Sequence, residues 1–130
     1  MQFKCLGLAA VLAICLALPS SAHHSHGAYD TATWTPFQGT VKQVTLINPH
    51  SWIYLEVKND KGQQSVWALE ATNPAGLLGN GIKRVDVRPG DTINVRCHLL
   101  KDGSNGCLLG FVTPMHGDAA RGHGVEKEWD

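Results

Sequence analysis

The chain is predicted to be all-β with one short helix, in the strand order of a small five-stranded, OB-fold-like Greek-key barrel. Three observations carry that prediction. Between residues 37 and 113, short runs alternate apolar and polar residues; strong turn signals separate them; and one helical signal falls between the third and fourth runs. An open meander or a fragment of a sandwich is the competing architecture.

The first strand is Gln38-Gly39-Thr40-Val41-Lys42-Gln43-Val44-Thr45-Leu46, whose alternation slips near Lys42-Gln43 and so predicts a bulge. Asn48-Pro49 is a turn signal. Trp52 to Lys58 alternates cleanly, with Ile53, Leu55 and Val57 on one face and Trp52, Tyr54 and Glu56 on the other. Asn59-Asp60-Lys61-Gly62 makes a hairpin turn into the third strand, Ser65 to Glu70. Thr72-Asn73-Pro74 then places a capping residue ahead of a first-turn proline, which predicts a short helix ended by Gly79 to Gly81. Arg88-Pro89-Gly90-Asp91 turns the chain into the fourth strand, Thr92 to Cys97, and Cys107 to Val112 is the fifth. Residues 114–130, rich in Gly, His and charge, are expected to form a flexible tail.

Residues 1–22 read as a secretory signal. Lys4 supplies the positive start, Cys5 to Leu18 the apolar run, and Ser20-Ser21-Ala22 a small-residue cleavage site. The apolar run is shorter than the roughly 20 residues a membrane-spanning helix needs, so a periplasmic or secreted product without membrane attachment is expected. The mature chain would be a His-containing segment, 23–36, then the barrel, 37–113. Cleavage removes Lys4 and leaves ten basic against eleven acidic residues, a balance that argues against a nucleic-acid partner. It also removes Cys5 and Cys15. Cys97 and Cys107 then remain on either side of a turn centred near Asp102, and in an oxidising compartment they are expected to form a disulfide, with reduced core cysteines or soft metal ligands as the competing reading.

All seven histidines lie after residue 22. Cleavage after Ala22 would give His23 a free amine beside its own imidazole, a chelating pair. With His24, His26 or His50 assisting, the nitrogen-rich set suits copper. The competing reading of His23, His24 and His26 is a solvated chain start, and of His50 a turn histidine bonded to nearby backbone. A second candidate is the Trp52/Tyr54 face, since OB barrels bind oligosaccharides, oligonucleotides or peptides on that surface; packing beneath another segment is the alternative. Signatures of catalysis are missing: no nucleophile elbow, no phosphate loop, no His-Glu-x-x-His. A non-enzymatic binding protein is therefore expected. It would take copper, or else a periplasmic carbohydrate, peptide or protein partner.

Ala22-His23-His24-Ser25, Tyr29-Asp30, Asn48-Pro49-His50, Trp67-Ala68-Leu69-Glu70, Val87-Arg88-Pro89-Gly90-Asp91 and Lys101-Asp102-Gly103-Ser104 together resemble a family of small exported bacterial proteins known only as a domain of unknown function. The resemblance spans nearly all of the mature chain. It implies an exported bacterial β-domain and supplies no activity.

Overall fold

The computed structural model describes residues 26–130. The expected signal, His23 and His24 lie outside the described residues. Strands β1 (Thr35–Thr45), β2 (Ser51–Lys58) and β3 (Gln64–Ala71) form an antiparallel meander. Helix α1 (Pro74–Gly79) follows, and β4 (Thr92–Leu99) and β5 (Gly106–Pro114) complete the set. Strand β1 serves two partners: Thr40 to Thr45 pair with β2, and Thr35 to Thr40 with β4. Parallel pairing of Ala68, Leu69 and Glu70 with Gly106, Cys107 and Leu108 closes a five-stranded mixed barrel. Closure removes the sheet edges that would otherwise template association.

The local signals act as their chemistry dictates. The register of β1 on β2 shifts between Val41 and Gln43, the predicted bulge. Ile53 and Leu55 point inward with no exposed surface, joined by Val41, Leu69, Ile93, Val95 and Leu109. Asn73 caps α1 by accepting the Gly76 amide, and Pro74 sits where a missing N–H costs nothing. Thr40 bonds in register to both Glu56 and Thr92, so β1 bends at that point. Gly39 makes the close approach possible.

Cys97 and Cys107 are disulfide-bonded, with Cα atoms 5.8 Å apart. The hairpin turns one residue later than expected, because the Leu100 amide bonds the Gly106 carbonyl and centres the turn on Gly103. Cys97 therefore faces Leu109, Leu99 faces Cys107, and the bridge runs diagonally. Replacing both cysteines by serine is expected to cost about 2.5 kcal/mol, the chain-entropy value for so short a loop. Urea unfolding of the oxidised protein and the double variant measures it.

The expected flexible tail is a correction. Residues 114–130 fold back on the barrel: a short 3-10 helix (Ala119–Arg121) is capped by Asp118, and β6 (Lys127–Glu128) extends the sheet beyond β5. Composition misled here because three side chains outweigh many glycines. Trp129 is buried, and its backbone bonds Gly110 and Thr72. Arg121 pairs with Asp91, and Lys127 with Asp86 at 3.0 Å. Partial burial pushes the Asp91 carboxyl up, but hydrogen bonds from Arg121 and the Arg88 amide hold it below the usual carboxylate range.

Candidate functional site

Strand alternation sets Trp52, Glu70, Leu108 and His98 on the outside of the barrel, at adjoining register positions of β2, β3, β5 and β4. A carboxylate in such a place ordinarily meets water. Glu70 is only 4 % exposed, because residues 26–34 cross this face. A 3-10 helix (His26–Ala28) begins the crossing. Tyr29 then bridges to Leu100, Asp30 donates its amide to the Leu99 carbonyl, and Lys101 donates to Ala28. Trp34 stacks on His98 with ring centroids 3.8 Å apart. The indole lies so close over Gly110 that no side chain fits there. His98 Nδ1 bonds the Thr33 carbonyl at 2.8 Å.

Tyr29 and His50 meet on the two oxygens of that one buried carboxylate. The Tyr29 hydroxyl donates to Glu70 Oε2, and His50 Nδ1 bonds Oε1. His50 stands in the β1–β2 connection, directly after the cis Asn48–Pro49 peptide, with its side chain about 31 % exposed. A carboxylate accepts only, so the Nδ1 position of His50 donates to Glu70. A carboxylate behind an imidazole is the arrangement that orients metal-ligating histidines and raises their basicity.

Burial raises the Tyr29 phenol well above its ordinary range, and the hydrogen bond and negative charge of Glu70 add to the rise. A phenol whose pKa is higher in the folded state than in the unfolded contributes stability below about pH 10, and that contribution is lost as pH rises further. Wild-type stability is therefore expected to fall above pH 10, and Tyr29→Phe to flatten that part of the profile. Chemical denaturation between pH 8 and 11 measures both.

His26 is exposed at the start of its 3-10 helix. Among the described residues, no group of three or more His, Cys, Asp or Glu side chains stands ready to hold a metal. Trp52 and Tyr54 project outward from β2 as expected, and both are half-buried. His116 is committed elsewhere: Nε2 bonds the Asp86 carbonyl and Nδ1 accepts the Asp118 amide.

Sequence reasoning named His50 but missed its partners. In the sequence Glu70 reads only as the end of the third strand. Tyr29 drew no chemical reading at all. A signal did exist: Tyr29, His50 and Glu70 each lie in a different one of the sequence runs that carry the family resemblance.

A protein-family model described as a family of unknown function (DUF6152) matches residues 11–109. No functionally curated protein matches the chain. Among solved structures, the mitochondrial single-stranded DNA binding protein of S. cerevisiae is similar, with a TM-score of 0.50 and 10 % identity. The match covers 66 % of this chain and 96 % of that one. It supports the OB-type barrel and speaks to fold alone.

Proposed function

We propose, for a chain that belongs to this family of unknown function, that it is an exported non-enzymatic binding protein. Its ligand would be copper, taken at the mature N-terminus by His23 with His24, His26 or His50 assisting. One observation carries the reading: a single buried carboxylate, Glu70, holds both His50 and Tyr29. Tyr29 belongs to the segment on which the terminal histidines enter, so the entering segment and His50 share one anchor. His23 lies only three residues before His26, at most about 11 Å of extended chain. Amine, imidazole and a carboxylate-backed histidine form the nitrogen-rich set that copper prefers.

The test is a Cu(II) titration of protein beginning at His23, read by electron paramagnetic resonance, beside a control with one residue added ahead of His23. One tight nitrogen-ligated site is expected, lost in the extended control and lost below about pH 6 as imidazoles protonate. Weak, heterogeneous binding indifferent to the extension would overturn the reading.

A second reading rests on the outward, half-buried Trp52 and Tyr54: a module that binds a periplasmic carbohydrate, peptide or protein partner on the outer face of β2. It would tolerate an added residue ahead of His23 and suffer from Trp52→Ala. Nucleic acid is not proposed, although the similar yeast protein binds single-stranded DNA. Eleven basic against eleven acidic residues leave no positive excess for a phosphate backbone.

A further inference from the structure

We propose that the groove between α1, the loop following it and Trp129 binds a small amphipathic carboxylate, an apolar chain with one anionic head. The site is independent of the histidines. The groove holds a cavity of about 330 Å³, within the range of ligand pockets and far beyond ordinary packing voids. Its floor is Leu77, Ile82 and Val87, each no more than 5 % exposed. Trp129 forms one wall, Val44 and Leu46 another, and Leu78 makes the lip with 71 % of its surface exposed. An apolar chain entering there would cover surface that the fold leaves in water.

Charge selects the head group. Among the described residues, Lys83 and Arg84 are the only charged ones lining the groove, both are exposed, and no carboxylate lines it. Of the neighbouring acids, Asp86 is buried and already accepts from the Lys83 amide and Lys127 Nζ. Glu128 and Asp130 flank Trp129 at the end of α1, where their carbonyls accept from Asn80, and neither lines the groove. A chain of limited length lying on apolar walls, its anionic head between Lys83 and Arg84, matches both the volume and the sign.

The probes are decanoate, 1-decanol and decylammonium, each below its aggregation concentration, added to uniformly 15N-labelled protein. The chain has four tryptophans, so four indole N–H signals report separately. Decanoate is expected to shift the Trp129 indole and the 82–84 amides saturably, leaving the Trp34 and Trp67 indoles unmoved. Decanol should bind more weakly and decylammonium most weakly. Exposed pairs contribute modestly, so Lys83→Gln with Arg84→Gln should weaken decanoate about fivefold and leave decanol unchanged. Leu78→Asp, at an exposed position that should not disturb folding, sets a negative charge on the lip and should weaken decanoate further still. No saturable shift at Trp129, or decylammonium binding as tightly as decanoate, would overturn the proposal. So would an unchanged decanoate affinity in the double glutamine variant.

Discussion

Replacing Glu70 by alanine is expected to destabilise the fold by about 3 kcal/mol and to loosen the proposed copper binding by one to two orders of magnitude. The stability loss follows from counting donors. Glu70 accepts from the buried Tyr29 hydroxyl and from His50 Nδ1, and alanine leaves both without their acceptor. An orphaned buried donor costs about 1–3 kcal/mol; the Tyr29 hydroxyl is buried, while the part-exposed His50 ring can turn to water and adds little. The affinity loss follows from position: outer-shell partners of ligating histidines typically account for about 10–100-fold in metal affinity. Glu70→Gln separates the two effects. Its amide oxygen still accepts one bond while its NH2 faces the other donor, so about half of the stability loss is expected. Urea unfolding and Cu(II) titration of both variants provide the measurements. A normal copper affinity in a folded Glu70→Ala protein would remove His50 from the ligand set while leaving the His23 chelate standing.

Gly39→Ala is expected to cost about 3 kcal/mol without touching any candidate ligand. At Gly39 the outer strands of the barrel close in. A Cβ there would stand 2.5 Å from the Glu56 carbonyl oxygen and 2.6 Å from Leu55 Cγ. Neither neighbour can yield easily. The carbonyl belongs to the β2 backbone, and the Leu55 side chain has no exposed surface. Overpacking of this kind typically costs about 1–3 kcal/mol, and a backbone clash lies at the upper end. Thermal unfolding followed by circular dichroism measures it. A midpoint within a degree of wild type would mean that β1 does not need the close approach at its bend.

Most of the barrel was legible because its signals are local. The inward set of β2, the bulge at Lys42, the Asn73-Pro74 helix start and the turn at Arg88 to Asp91 each depend on neighbours a few residues apart. The tail was misread for the opposite reason. Its order depends on Arg121 finding Asp91, Lys127 finding Asp86, and Trp129 reaching the core, contacts that no local pattern announces. Hairpin register fell between these cases: the cysteines pair as expected, but the Leu100–Gly106 bond shifted the turn.

The candidate site divides along the same line. Residue type and spacing alone determined the strand order, the inward and outward faces and the disulfide. The convergence on Glu70 was decided only by the tertiary structure. Tyr29 stands 41 residues from Glu70 and His50 stands 20, separations over which no periodicity operates. Barrel closure sets β3 beside β5, the N-terminal segment then covers the outer face, and a glutamate on an alternating surface position becomes buried. A buried carboxylate must be hydrogen-bonded, so Tyr29 and His50 are drawn to it.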